Sequence, residues 1–162
     1  MKWKIRQEAP GDEDAITDVV ARAFAPTPFG DENDQHIVNG LREAGALVLS
    51  LVAVTGNTVI GQVALSPAKI GEGRYLCLGP VAVVPDHQRK GIGTALIVHA
   101  LGVAQAYGRD GVVLMGNPAY YSRFGFKVFA DVTYDGDGAD YIQVLPFGPP
   151  PTGAVTFHPV FG

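Results

Sequence analysis

The chain has 162 residues, with 12 Lys and Arg against 16 Asp and Glu and a formal net charge of −4. This length suits one domain with its own hydrophobic core, so we expect residues 1–162 to form a single domain without disulfide or metal support. Hydrophobic residues make up 47% of the chain, which excludes a disordered or fibrous protein. The acidic balance excludes a global positive field for nucleic acid or an anionic membrane, so an anion site must be local.

The start of the chain and its lone cysteine indicate the compartment. The segment MKWKIRQEAPGDEDA reaches carboxylates before any long apolar stretch, which is not typical of a signal or transit peptide. No apolar run approaches the roughly 20 residues of a membrane span. Cys77 lies in the apolar run YLCLGPVAVV and is predicted to be a buried thiol rather than a nucleophile. We therefore expect a cytoplasmic protein with no membrane partner and no metal.

The first half of the chain predicts a helix–strand alternation. WKIRQ alternates as a strand, and PGDED begins a helix that ends near Ala23. A second, weaker helix is predicted over 34–43. The runs ALVLSLVAV and TVIGQVALSPAKI, joined by the two-residue turn GN, predict a hairpin, and a third strand follows over 74–84. The inner face of the first helix is predicted to carry four apolar residues: Ile16, Val19, Val20 and Ala23.

The second half begins with a helix over 91–107 that is almost free of polar side chains. This composition predicts burial over much of its circumference, with His99 as a packing residue. VVLMG is a short buried strand, NPAYYSRF a loop with a helical turn, and GFKVFA the start of another strand; the tail adds strands joined by turns. The predicted buried stripe around His99 consists of Ile92, Ala95, Leu96, Val103 and Ala106.

The stretch VAVVPDHQRKGIGTAL, residues 81–96, predicts an anion site. A strand that enters a helix through glycines leaves backbone N–H groups unpaired at the helix start, where the helix dipole also favours negative charge. Glycine at 91 and 93 lets a phosphate approach the backbone, and Arg89, Lys90 and Thr94 add positive charge and a hydroxyl. A pyrophosphate matches this cluster better than a single carboxylate does.

Two common nucleotide sites do not fit this loop. The P-loop pattern GxxxxGK[ST] is absent. A Rossmann fingerprint is only half met, because Leu96 stands where the third small residue belongs and Asp110 precedes the next predicted strand rather than ending it. A nicotinamide site is therefore not expected.

The same loop resembles a known family motif. Gln88-Arg89-Lys90-Gly91-Ile92-Gly93 is similar to the Q/R-x-x-G-x-G/A acetyl-CoA motif of the GCN5-related N-acetyltransferase (GNAT) family. Thirty residues later, YYSRFGF resembles the Y-x-x-x-G-F element of that family, with Tyr121, Gly125 and Phe126 in the matching places. The segment GNPAYYSRFGF and the tail GAVTFHPVF are similar to a bacterial branch of predicted acetyltransferases, the YhbS-like group.

The resemblance implies an α/β (α+β) fold with a mixed, mostly antiparallel sheet, helices on both faces and a V-shaped splay between two central parallel strands, 78–84 and 112–115. It implies acetyl-CoA as cosubstrate, with the pantetheine arm in the splay. Tyr121 would support the leaving thiolate, and Tyr120 would be its structural partner. Asn117 would bond either the pantetheine or its own loop. The residues implied to hold acetyl-CoA, beside Asn117, are Val81, Ala82, Val83, Gln88, Arg89, Lys90, Gly91, Ile92, Gly93 and Thr94.

The general base is not identified by the sequence. The strand RYLCLGPVAV carries no carboxylate where many family members have a Glu, and Glu32, Asp34 and His36 are predicted to be solvated loop residues. The missing base leaves a non-catalytic acyl-CoA sensor as the alternative to an N-acetyltransferase. The expected acceptor is a small-molecule or peptide amine, with no nucleic acid partner, and the protein is expected to be a monomer or homodimer.

Overall fold

The computed structural model describes residues 2–24 and 34–161. Within them the chain forms four α-helices, several single 3₁₀ turns and eight strands. The helices are α1 (Glu13–Phe24), α2 (Ile37–Glu43), α3 (Ile92–Tyr107) and α4 (Pro118–Tyr121). The strands are β1 (Lys4–Gln7), β2 (Leu49–Thr55), β3 (Thr58–Ile70), β4 (Gly73–Val83), β5 (Gly111–Met115), β6 (Val132–Thr133), β7 (Ile142–Pro146) and β8 (Gly153–Phe157).

The central sheet has the order β1-β2-β3-β4-β5-β7. Its neighbours are antiparallel except for β4 and β5, which run parallel. The far end of β3 pairs with β8, and the two-residue β6 lies parallel to β8. This mixed, mostly antiparallel sheet confirms the predicted fold class, including the hairpin through Gly56 and Asn57.

The parallel pair opens soon after it begins. Only Leu76 with Val112 and Cys77 with Val113 are in register, although β4 continues to Val83. Just beyond these pairs, β4 holds one residue more than the facing part of β3, where the register shifts. The extra residue falls in the segment 79–80, where Pro80 has no N–H for the ladder. Because a bulge bends its strand and ends local pairing, it separates β4 from β5.

Helices cover both faces of the sheet. Helix α1 packs with α2 on one face, and its four predicted inner residues are all buried, which confirms that prediction. Helix α3 covers the other face, where Ile92 and Leu96 lie against Gly61 of β3. None of the helices among the described residues is long and apolar enough to cross a bilayer.

The predicted buried stripe of α3 is right for Ile92 and Leu96 but wrong for Ala95, Val103 and Ala106, which are not buried. The residues that face the sheet are Ile92, Leu96, Ile97, Ala100 and Ala104. His99 is exposed, with its Nδ1 3.0 Å from the Ala95 carbonyl oxygen, and Val103 is also exposed. The helix is apolar nearly all round, so its composition did not determine which arc packs on the sheet.

The C-terminal region builds a second, smaller core. The prediction of a strand in GFKVFA is wrong. This segment makes only an isolated bridge between Lys127 and Val144 before the chain turns towards β6. Strand β8 and the final 3₁₀ turn then close this end of the sheet, with Val160 packed against Gly40 of α2. The second core contains Ala68, Ile70, Tyr75, Cys77, Val113, Ile142, Val144 and Val155.

Candidate cofactor and catalytic site

Beyond Cys77, the edge of β4 that faces β5 makes no ladder pairs with that strand. Val84 donates its N–H to Ile60 of β3 at 3.0 Å. Because successive residues of a strand direct their backbone groups to opposite sides, Val81 and Val83 point theirs into the gap towards β5. Ala82 points towards β3 and is buried. The geometry thus supports Val81 and Val83, and not Ala82, as backbone partners for a ligand in the splay.

The loop after β4 is held in an unusual conformation. Arg89 has φ +63° and Gly91 has φ +84°, and Gly91 is the N-cap of α3. Left-handed residues in such a loop turn backbone N–H groups into a concavity that suits an anion. Arg89 is not a glycine, so its conformation costs roughly 1–2 kcal/mol, and strain of this kind is concentrated at functional sites. The sequence alone gave no sign of this feature.

Gln88 bonds the strand rather than facing the loop. Its Nε2 donates to the Val83 carbonyl oxygen at 2.9 Å, which places the side chain at the end of the gap. Arg89 and Lys90 are exposed beside it. The structure therefore brings together the predicted segment from Gln88 to Thr94 at the mouth of the splay, with the Gln88 side chain turned towards β4.

The two loop glycines differ in what the fold requires of them. Gly91 needs its left-handed φ, whereas Gly93 lies in the first turn of α3 without such a φ. A Cβ added at Gly93 would meet the Tyr120 hydroxyl and a Val83 methyl at 3.8 Å, which is ordinary contact. The protein itself therefore has no steric need for glycine at 93.

A second wall of the site comes from the segment after β5. The Tyr120 hydroxyl lies 3.4 Å from Thr94 Oγ1 at the start of α3. Arg123 donates through Nε to the Tyr120 carbonyl oxygen at 2.8 Å and stacks its guanidinium 4.3 Å from the centre of the Tyr120 ring. Tyr120 was expected to be only a structural partner, because nothing in the sequence links it to a residue 26 positions earlier.

Tyr121 is the last residue of α4, and its ring lies next to the end of β5. Its ring packs directly over Gly116, where an added Cβ would collide with the ring. The ring also contacts Phe126, with 6.0 Å between the two ring centres. Burial, with a smaller contribution from Tyr120, raises the pKa of Tyr121 to about 12. The phenol therefore stays protonated at physiological pH and can act only as a hydrogen-bond donor or a very weak acid.

The loop that carries Tyr121 is fixed by two amide side chains. Asn117 Oδ1 accepts the Ala119 N–H at 2.9 Å, so Asn117 caps α4 and bonds its own loop. Gln143 of β7 is 1% exposed, and its Nε2 donates to the Gly116 carbonyl oxygen at 2.8 Å. Gln143 was missed because a lone Gln in a strand has no distinctive sequence signal. Together the two amides hold the position of the Tyr121 ring.

No general base is evident among the described residues. Cys77 is buried, and burial raises the pKa of its thiol to about 12, which confirms the buried-thiol prediction. His36 is exposed at the start of α2, and Glu32 lies outside the described residues. Residues 2–24 and 34–161 contain no group of three His, Cys, Asp or Glu side chains that could hold a metal ion.

A groove of about 450 Å³ lies elsewhere, at the edge of the sheet where β1 ends and β2 begins. Its lining includes Arg42, Leu47 and Val103, and none of the predicted acetyl-CoA residues. The predicted acetyl-CoA residues thus lie away from this groove.

Comparisons with known proteins agree with this geometry. Residues 47–128 match the family model described as an acetyltransferase (GNAT) domain. The chain is 36% identical over 129 residues to the uncharacterized N-acetyltransferase YhbS of Escherichia coli K12, covering 78% of this chain and 74% of YhbS.

Two solved structures superpose over nearly the whole chain. A GNAT family acetyltransferase from Brucella melitensis, crystallised in complex with acetyl-CoA, has a TM-score of 0.88 and 40% identity, covering 99% of both chains. The crystal structure of E. coli YhbS in complex with CoA has a TM-score of 0.89 and 31% identity, covering 99% of this chain and 92% of YhbS. The splay, the glycine loop and these relatives lead to one conclusion: this chain belongs to the GNAT family of N-acetyltransferases.

Proposed function

We propose that residues 1–162 act as one N-acetyltransferase domain that moves an acetyl group from acetyl-CoA directly to an amine. The observation that carries this proposal is the gap between β4 and β5, which opens directly onto the glycine loop. An extended pantetheine arm could bond the backbone of Val81 and Val83 in the gap, while its pyrophosphate lies against the loop. The relatives crystallised with acetyl-CoA and CoA support this placement.

In this proposal the pyrophosphate is held by the segment from Gln88 to Thr94, with charge from Arg89 and Lys90. Backbone N–H groups at the start of a helix stabilise an anion without any side chain. A backbone N–H near Val83 would polarise the thioester carbonyl as an oxyanion donor does. Attack of the neutral amine on that carbonyl forms the C–N bond. Collapse of the intermediate breaks the C–S bond, CoA leaves as the thiolate, and the nitrogen gives its extra proton to water.

Tyr121 would donate a hydrogen bond to the leaving sulfur. A thiol has a pKa near 8.5, whereas the pKa of Tyr121 is about 12. Full proton transfer from the phenol to the thiolate would therefore cost about 5 kcal/mol at 1.36 kcal/mol for each pKa unit. A hydrogen bond that strengthens as charge develops on sulfur avoids this cost, so we assign Tyr121 the role of a donor.

The acceptor determines how much a base must do. A lysine-like amine with a pKa of 10.4 costs about 4.6 kcal/mol to deprotonate at pH 7, whereas an α-amine near 7.8 costs about 1 kcal/mol. With no carboxylate on β4, an amine of lower pKa, from a small molecule or a peptide, needs the least help. We also propose a cytoplasmic bacterial enzyme, since its cosubstrate is made inside the cell and the relatives named above are bacterial.

Thiol release tests the proposal. The protein is incubated with acetyl-CoA and a broad panel of small amines, amino acids, antibiotics and peptides, and free CoA is measured with a thiol reagent. Amine-dependent release of CoA, with the acetylated amine identified by mass spectrometry, is the expected result. Tight binding of acetyl-CoA without release for any amine would instead favour the sensor alternative, which the family assignment disfavours.

A further inference from the structure

The second wall of the site carries charge that the proposed pyrophosphate loop does not use. The ion pairs among the described residues join Arg6 to Asp12, Arg22 to Asp18 and Arg42 to Glu8. Arg123 is exposed, yet it has no carboxylate partner there in a chain with net charge −4. Arg109 likewise has no ion pair among the described residues, so it is the position of Arg123, next to the loop, that makes it a candidate for anion binding.

Arg123 is also held in place. Its Nε is bound to the Tyr120 carbonyl oxygen at 2.8 Å, and its plane lies 4.3 Å from the centre of the Tyr120 ring. Stacking on an aromatic ring orients a guanidinium and leaves its outer N–H groups free to donate. The structure shows no partner for the two Nη groups of Arg123 within residues 2–24 and 34–161. These groups therefore form a preoriented donor pair of the kind that suits phosphate oxygens.

The Tyr120 ring connects this guanidinium to the loop. Its hydroxyl lies 3.4 Å from Thr94 Oγ1 and would be 3.8 Å from a Cβ at Gly93. One side chain thus touches both the start of α3 and Arg123. An anion over Gly93 would therefore lie beside the Tyr120 hydroxyl, and Arg123 is stacked on the ring that carries this hydroxyl.

We propose that Tyr120 and Arg123 form a second phosphate-binding wall, which lies beside the glycine loop and contacts a phosphate group of CoA. The inference rests on the proposed function, since it assigns two further residues to the same cosubstrate. Either the diphosphate or the 3′-phosphate of CoA has the required chemistry. The wall makes α4 a binding element for the cosubstrate as well as the support of Tyr121.

The test compares four proteins: the parent, Arg123→Gln, Tyr120→Phe and Arg109→Gln. Arg109 is the matched control, because it stacks 5.4 Å from the centre of the Tyr107 ring at the opposite end of α3. Dissociation constants for CoA and dephospho-CoA are measured by titration calorimetry at low and high salt, and the unliganded variants are first shown to melt like the parent.

We expect Arg123→Gln to weaken CoA binding about fivefold or more at low salt, because a charge-assisted hydrogen bond is lost at a partly screened site. Tyr120→Phe should weaken it by a smaller factor, and Arg109→Gln should stay within about twofold of the parent. A deficit that disappears with dephospho-CoA assigns the wall to the 3′-phosphate, and one that persists assigns it to the diphosphate.

Two results would overturn the wall. One is an Arg123→Gln variant that binds CoA as Arg109→Gln does. The other is a deficit that stays unchanged at about 0.5 M salt, where screening should reduce the contribution of an exposed charge, since that pattern indicates altered structure. If the parent protein fails to bind CoA, both the proposed function and the second wall are refuted. If the parent binds CoA and Arg123→Gln binds it equally well, only the wall is refuted, so the two failures are distinguishable.

Discussion

Replacing Gly93 with Ala should change the stability of the unliganded protein and its affinity for CoA in opposite directions. The added Cβ makes only ordinary contacts at 3.8 Å, so no clash offsets the better helix propensity of Ala. A Gly-to-Ala change inside a helix contributes about 0.5–1 kcal/mol, and the first-turn position of Gly93 reduces this to about 0.5 kcal/mol. The melting temperature of the unliganded variant should rise by about 1–2 °C.

Binding should weaken because the same Cβ occupies the space through which a phosphate reaches the backbone. Loss of one charge-assisted hydrogen bond costs about 1.5–3 kcal/mol, which is roughly a 10- to 100-fold increase in Kd for CoA. Thermal unfolding and titration calorimetry on the same preparations measure both effects.

Gly102→Ala is the matched control for this experiment. Gly102 lies in the middle of α3 with nothing within 4 Å of an added Cβ, so the variant should gain up to about 1 kcal/mol of stability and bind CoA as the parent does. The reasoning is refuted if Gly93→Ala binds CoA with the parent's affinity. It is also refuted if the unliganded Gly93→Ala protein is less stable than the parent, since glycine would then serve the fold.

Three further outcomes are expected. Acetyl-CoA and CoA at 100 times their Kd should stabilise the protein by about 2.7 kcal/mol, whereas NAD and ATP at equal concentration should shift the melting curve far less; an unmoved curve with acetyl-CoA contradicts the site. Tyr121→Phe should lower kcat about 100-fold with little change in acetyl-CoA affinity, measured with an identified amine. Tyr134→Phe, whose ring packs against the second core, should keep near-parent kcat. Asp12 accepts hydrogen bonds from Arg6 and the Ala9 N–H, which lower its pKa. Because the pKa of Asp12 is lower in the folded protein, its ionised carboxylate stabilises the fold at pH values above the unfolded pKa, which is near 3.9. This stabilisation is lost as the pH falls through the folded pKa. Asp12→Asn should therefore cost about 0.5–1 kcal/mol at pH 7, and this cost should shrink as the pH falls below the unfolded pKa, as followed by urea unfolding at each pH.

Patterns that depend on one local period were predictable from the sequence. Helix α1 has a single apolar arc, so its buried residues could be named in advance. Helix α3 has two competing arcs that share Ile92 and Leu96, and only packing on the sheet decides between them. His99 was placed on the wrong arc for this reason. The segment GFKVFA has strand-forming residues, but strand structure requires a partner, and β7 offers it one bridge at Val144.

In the candidate site, too, the residues that are contiguous in sequence were predictable, and the contacts between distant residues were not. The glycine loop is contiguous in sequence, so its residues were identified together. The contact between Tyr120 and Thr94 joins residues 26 positions apart, and the bond from Gln143 to Gly116 spans 27. Such contacts depend on how the chain returns across the sheet after β5, which no local period encodes. The left-handed conformation of Arg89 is equally invisible, because Arg is not a residue that favours it.

The hydrogen bond from Gln88 to the Val83 carbonyl bears on the thermodynamics of cosubstrate entry. In the free protein this carbonyl is already satisfied by a primary amide, the same donor chemistry that the secondary amides of pantetheine provide. If an amide of the cosubstrate takes this oxygen, binding there is an exchange of one amide donor for another, with no net gain of a hydrogen bond. The favourable enthalpy of binding should then come mainly from the phosphate end, and the released Gln88 side chain should regain rotamer freedom. Gln88→Ala would leave the carbonyl to water and turn this exchange into a desolvation step.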